Sequence, residues 1–303
     1  MRGIQNYTPT EWLRLDPPIW YLKEIRNKAV SRRFVRSRPA TLDPFLQRLQ
    51  HLRGKNIIAV VAFNSPWVIE ILLRNMKEHV KDAEVIVCDN SNKPELRPEI
   101  EAACRAAETP YFSLPPNPEK HPCRSHGISL NWIYYNILLP LEPSIFACID
   151  HDLIPYRDVK LVDLLNHQPV FGRKKDAPWS WFLWAGYCMF DFSHTKNKAV
   201  DFNNDRPALL DTGGQNWEPL YRRLDVRNMR FASHVIRNVA HPTANEHMPL
   251  EVLDDTWLHL GNVGQTKGRK DYFSDRAQFL SELFDAVRDG KQLAGFIGKP
   301  VEI

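Results

Sequence analysis

Two carboxylates one residue apart close the apolar run Ile145-Phe-Ala-Cys-Ile-Asp-His-Asp-Leu-Ile-Pro155. At an extended strand end, side chains two positions apart project to the same side, so Asp150 and Asp152 carry their charges together. Paired carboxylates repel unless something positive lies between them. After a buried strand the natural occupant is a divalent cation bound through hard oxygen ligands, Mg2+ or Mn2+, which can in turn hold a diphosphate. A polar turn after a core strand would use the same residues, and Asp-X-Asp alone is a weak motif.

The elements that position this pair begin at Asn56-Ile-Ile-Ala-Val-Val-Ala-Phe63, a β-branched apolar run of the kind covered on both faces in a parallel sheet. Asn64-Ser-Pro66 then predicts a helix start, with proline in the first turn. Val68, Leu72, Met76 and Val80 recur every four residues, and Lys77, His79 and Lys81 suit the negative end of the helix dipole. Glu84-Val-Ile-Val-Cys-Asp89 reads as a second strand, completing a right-handed βαβ unit. A short helix around 95–107, a proline-rich loop and a helix over 126–138 lead to the strand at Ile145–Ile149.

The alternation predicts an α/β domain whose ligands bind outside the carboxyl ends of its strands. Three such ends carry polar residues toward one crevice: Asn64, Asp89, and Asp150 with Asp152. Beyond Asp152 the alternation fades. Strands are expected at Val170–Arg173 and Gly186–Phe192, around the aromatic segment Trp179-Ser-Trp-Phe-Leu-Trp184, and a final amphipathic helix at Ser274–Leu293.

The chain has 303 residues, 43% hydrophobic and 25% charged, as an ordinary globular protein does. Its net charge of +4 is unevenly spread. Residues 1–55 hold twelve Lys and Arg against four Asp and Glu, an excess of eight, and read as a basic helical arm. Such an arm is a candidate contact for an anionic membrane surface or nucleic acid; equally, it would dock on the main domain through Trp12, Trp20, Tyr21 and Phe34. No specific nucleic-acid motif accompanies the charge. Five cysteines without C-x-x-C spacing indicate neither a zinc site nor a disulfide framework. With no signal-like pattern and no stretch of ~20 apolar residues, the expectation is a cytoplasmic protein, soluble or peripheral to a membrane.

Val60-Val-Ala-Phe-Asn-Ser-Pro66, Leu72-Leu-Arg-Asn-Met76, Val85-Ile-Val-Cys-Asp-Asn-Ser91 and Ile149-Asp-His-Asp152 together resemble the nucleotide-sugar-dependent glycosyltransferases of the GT-A fold, particularly the family 2-like group. The resemblance covers about residues 56–155 well and the remainder loosely. It implies a Rossmann-like, mostly parallel mixed sheet flanked by helices, with a nucleotide-binding half over 56–155 and an acceptor-binding half over 156–303. It implies a metal-dependent transfer of a sugar from a nucleotide diphosphate, a UDP-sugar favoured, to a saccharide or other hydroxyl acceptor. Asn64 and Asp89 would contact the nucleoside, Asp150 would sit near the ribose and metal, and Asp152 would ligate Mn2+ or Mg2+.

The family often adds a late histidine ligand, and His259 in Asp255-Thr-Trp-Leu-His-Leu-Gly261 is similar to that element; a hydrogen-bonded core histidine would look the same. The usual Glu-Asp pair is absent after Gly186–Phe192, and Asp211-Thr-Gly-Gly-Gln215 stands in its place, which makes Asp211 the candidate general base or else a helix cap. His126 and Arg124, near a predicted helix start, are candidates for the diphosphate side. Trp181 and Trp184 are candidates for an acceptor-stacking face, or are core.

A methyltransferase would share the acidic residue after the second strand but needs a glycine-rich first turn, which Asn64-Ser-Pro66 is not. A phosphohydrolase would need more carboxylates or histidines for a second metal. A nucleotide-binding scaffold without catalysis is the third alternative.

Overall fold

The structure, a computed structural model, describes residues 2–261 and 270–300. It begins with α1 (Pro9–Leu13), whose Thr8 and Glu11 form a reciprocal capping box, and α2 (Asp16–Val35), which starts on two prolines. After α3 (Leu42–Arg48) comes the βαβ unit: β1 (Asn56–Ala62), α4 (Pro66–His79) and β2 (Ala83–Asp89). Then follow α5 (Arg97–Ala106), β3 (Tyr111–Ser113), α6 (Pro122–Ile133) with a π-helical continuation over Tyr134–Leu138, and β4 (Ile145–Asp150).

The later strands are β5 (Leu153–Pro155), β6 (Val170–Ala177), β7 (Ser180–Asp191), β8 (His234–Ala240), β9 (His247–Leu253), β10 (Trp257–His259) and β11 (Ile297–Pro300), with a helix at Lys270–Arg288. Two sheets result. The first runs β3-β2-β1-β4-β7-β6, with β1 to β4 mutually parallel and β6 and β7 an antiparallel hairpin at one side. This is the mostly parallel, helix-flanked mixed sheet that the sequence predicts.

Alternation along β1 explains the sandwich. Ile57, Ala59 and Val61 enter one apolar cluster with α3 and α6, while Ile58, Val60 and Ala62 enter another with α4 and α5. Both clusters are buried, so neither face of β1 is left to water. The basic stretch divides accordingly. Phe34, Leu42, Phe45, Leu46, Leu49 and Leu52 belong to the first cluster, whereas Trp12 and Tyr21 are exposed and lie outside both clusters.

The second sheet, β11-β8-β9-β10-β5, did not show in the sequence pattern. It matters for function because β5 follows Asp152 directly and pairs antiparallel with β10, setting His259 opposite Leu153. Within the hairpin, β7 is longer than expected and absorbs most of the aromatic segment.

Candidate functional site

Ala62 pairs with Asp89 and Val61 with Asp150, so the two acids end the strands on either side of β1 at one rim. Asp89 is fully buried. Its Oδ1 accepts from the Ser91 amide at 2.8 Å and its Oδ2 from the Tyr111 hydroxyl at 2.8 Å. Burial, then the charge of Asp89, push the Tyr111 phenol well up, which keeps it a donor.

Asn64 lies just beyond β1 in the left-handed region, φ 51°, a conformation asparagine tolerates better than most residues. Its side-chain Nδ2 donates to Asn92 Oδ1 at 2.7 Å, and its Oδ1 accepts from the backbone of Asn92 and Lys93 at 3.2 Å each. These bonds tie the β1 loop to the β2 loop and form one wall of the crevice.

The opposite wall is built around Asp150. Ile149 pairs with Tyr187, which brings Asp150 level with Gly186 of β7. A β-carbon at position 186 would collide with Asp150 Oδ2 and the Trp184 indole, so the glycine makes room for the carboxylate. His126 Nε2 stands 3.4 Å from Asp150 Oδ1. Burial pushes the Asp150 carboxyl above its ordinary value; His126 opposes that rise and the Asp152 charge reinforces it.

Asp152 is buried, with Oδ1 3.7 Å from Nε2 of His259. The other ring nitrogen, Nδ1, lies 2.9 Å from Glu251 Oε2, and Arg173 clamps Glu251 with Nη1 at 2.8 Å and Nη2 at 2.6 Å. Burial alone would lower the His259 pKa, but the Glu251 bond and the charges of Asp152 and Asp150 carry it above the ordinary histidine value. Glu251 moves the other way: burial would raise it, yet the bond from His259 and the charge of Arg173 hold it low. Trp184 covers the assembly, its ring 5.1 Å from His259, with Arg173 and Lys175 each 5.5 Å from the indole centre.

Lys175 links this centre to Asp211. Burial and Arg173 lower its pKa, while Asp211, Glu251 and Asp150 are close enough to pull it back up. The Asp211 turn is stitched to β7: the Ala185 amide donates to the Thr212 carbonyl at 3.4 Å, and Gly213, at φ 95°, leaves its α-carbon against the Leu183 carbonyl. Asp211 is exposed, and Oδ1 accepts from the Thr212 amide at 2.8 Å.

The remaining expectations separate. The helix holding His126 starts four residues earlier than predicted, at Pro122, so His126 lies a turn inside it rather than at its anion-favouring end. Arg124, two residues away on α6, points elsewhere and pairs with Glu119 at 3.2 Å near Asn27 of α2. Trp181 is core: it stacks on Tyr221 at 4.9 Å and is flanked by Phe231 and Trp217. Only Trp184 of the two tryptophans faces the crevice. Nothing in the sequence marks Gly186 or Glu251 for the site, and the basic run Arg173-Lys-Lys175 is the one signal that points to Arg173 and Lys175.

Among the described residues no three or more His, Cys, Asp or Glu side chains converge closely enough to hold a metal ion unaided. The donor chemistry nonetheless fits Mn2+ or Mg2+. Positive charge is favoured between Glu251 and Asp152, and once the ring gives up its Nε2 proton the lone pair there and the Asp152 carboxylate could hold a cation in the proton's stead. A hexacoordinate ion that takes one or two carboxylates from protein and the rest from phosphates and water suits so sparse a set.

No family model matches the sequence, and no curated protein matches it either. Solved structures do resemble it. TarS from S. aureus is 18% identical, with 49% of this chain and 30% of that one covered at a TM-score of 0.35. Glucosyl-3-phosphoglycerate synthase from Mycobacterium tuberculosis, in complex with Mn2+ and uridine-diphosphate-glucose, is 16% identical over 55% of this chain and 66% of that one, TM-score 0.33. The mannosyltransferase PcManGT from Pyrobaculum calidifontis, in complex with GDP-Man and Mn2+, is 13% identical over 91% of this chain and 76% of that one, TM-score 0.42. The chain thus spans about a third of TarS.

Proposed function

We propose that this chain is a GT-A glycosyltransferase that moves a sugar from a nucleotide diphosphate to an acceptor hydroxyl. The observation that supports it most is the pair Asp150 and Asp152 after a parallel strand, met by a histidine whose Nε2 is turned toward Asp152 by Glu251. The donor nucleoside lies along the β1 and β2 ends, between the Asn64 loop and the Asp89 turn. Its diphosphate lies toward Asp150, Asp152 and His259, which would hold Mn2+ or Mg2+. When bound, the cation neutralises charge developing on the departing diphosphate.

Arg173 keeps Glu251 ionised, and Glu251 fixes the ring of His259. Lys175 adds positive charge beside Asp150 at the place where the leaving group gains negative charge. Asp211 takes the proton of the acceptor hydroxyl as that oxygen attacks the anomeric carbon and the bond to the diphosphate breaks. Trp184 offers its indole to the sugar or the acceptor.

Thermal-shift screening of UDP- and GDP-sugars with and without Mn2+ tests the reading. A cognate donor at about 100 times its Kd adds about 2.7 kcal/mol of apparent stability, and here that gain requires the metal. Asp152→Asn abolishes turnover and the metal-dependent gain with the fold intact; normal turnover in that variant would remove the assignment.

A further inference from the structure

We propose that the outward face of α1 and α2 is a docking surface for an anionic lipid bilayer. Eight of the eleven exposed large apolar side chains among the described residues lie between Ile4 and Ile25. Leu13 is 87% exposed, Leu22 65% and Leu15 60%. Leu15, Ile19, Leu22 and Ile25 recur at helical spacing and so share one side, and Trp12 and Leu13, exposed as well, precede them at the end of α1.

The opposite side of α2 docks on the protein largely through polar groups. Glu24 accepts from Gln215 Nε2 at 2.9 Å, and Ser31 Oγ accepts from Asn203 Nδ2 at 3.2 Å. The usual polarity of a surface helix is therefore reversed over this stretch, with polar residues in and leucines and isoleucines out. Scattered exposed leucines are ordinary, but a contiguous set marks an interaction surface. Leu15 makes the point by its backbone. It sits in the left-handed region at φ 60°, where glycine or asparagine would fit with less strain, and its side chain serves neither the core nor the turn.

Charge selects the occupant. Arg14, Lys23, Arg26 and Arg33 are exposed around the stripe, Arg26 also reaching Glu119 at 3.2 Å. The two acids of α2 are set apart: Glu24 is buried, and Asp16 is half-buried at the helix start. A second copy would bring like charges together across the contact, whereas an acidic bilayer attracts them. Apolar side chains with basic neighbours along one helix side are what an interfacial helix inserts at the headgroup boundary. No helix among the described residues is long and apolar enough to cross a membrane, so the contact is peripheral.

The test uses the full chain sedimented with vesicles of phosphatidylcholine alone or mixed with phosphatidylglycerol. Partition onto the anionic vesicles is expected to exceed that onto neutral ones by roughly tenfold or more and to weaken as salt is added. Leu13→Ser with Leu22→Ser, and separately Arg14→Ser with Arg33→Ser, each lower it roughly tenfold. Circular dichroism and Tm stay unchanged in both, because all four side chains are exposed. Equal partition onto both vesicle types, or none, overturns the proposal. Loss in the arginine variant alone overturns it too, leaving only a basic arm, as does a dimer that the leucine variant dissolves while vesicle binding persists.

Discussion

Glu251 Oε2 lies 2.9 Å from Nδ1 of His259, and that single bond decides which way the ring's other nitrogen faces. Replacing Glu251 by Gln keeps an acceptor but loses the charge that holds the tautomer. The Mn2+ concentration for half-maximal donor stabilisation should rise by roughly 10–100-fold. Glu251→Ala should do the same and lower Tm as well, since it strands the Arg173 guanidinium in a part-buried place. Unchanged Mn2+ dependence in both variants would show that His259 is not a ligand.

Gly186→Ala probes the opposite wall. The new methyl group must displace either the Asp150 carboxylate or the Trp184 indole. Overpacking of this kind costs about 1–3 kcal/mol, so Tm should fall modestly with the circular dichroism spectrum retained. Donor binding should fall much further than stability does. A variant that binds donor normally would mean that Asp150 does not need its present position.

The parallel half of the protein was legible because each of its signals is local. The apolar run of β1, proline at the start of α4 and the four-residue spacing of Val68, Leu72 and Met76 all lie within one element. The route of His259 to Asp152 was not. It depends on Leu153–Pro155 pairing with Trp257–His259, two three-residue strands a hundred residues apart whose pairing no periodicity announces. Sequence alone does not separate Trp181 from Trp184, because β7 is buried along both faces and shows no alternation; three residues apart in a strand, they face opposite ways. The early basic stretch misled for another reason. Hydropathy counts Trp12 and Tyr21 as core material, and only the docked helix reveals that they point outward.

Asp211→Asn separates binding from chemistry. The side chain keeps its size and can still accept from the Thr212 amide, so the turn against β7 survives. Donor affinity measured by thermal shift should be unchanged, while transfer falls by roughly 10²–10⁴-fold, the usual contribution of a positioned base. Transfer at the wild-type rate would assign the proton to another group.

Glu24 carries the pH-dependent part of the arm's docking. Burial raises its carboxyl above the ordinary 4.5, against the pull of Lys28, so the folded protein binds this proton more tightly than the unfolded chain does. Its contribution is therefore fully favourable below the unfolded value and is lost as pH rises through the folded one. At neutral pH the ionised group is a burden on the contact between α2 and the segment around Gln215. Glu24→Gln keeps an oxygen to accept from Gln215 Nε2 and gives up only a half-exposed ion pair with Lys28. Its Tm should equal or exceed that of the natural chain at pH 7, with the advantage shrinking as the pH is lowered toward 4. A variant less stable than the natural chain at pH 7, by an amount that vanishes as the pH is lowered toward 4, would mean that the Lys28 pair outweighs the cost of burying the charge.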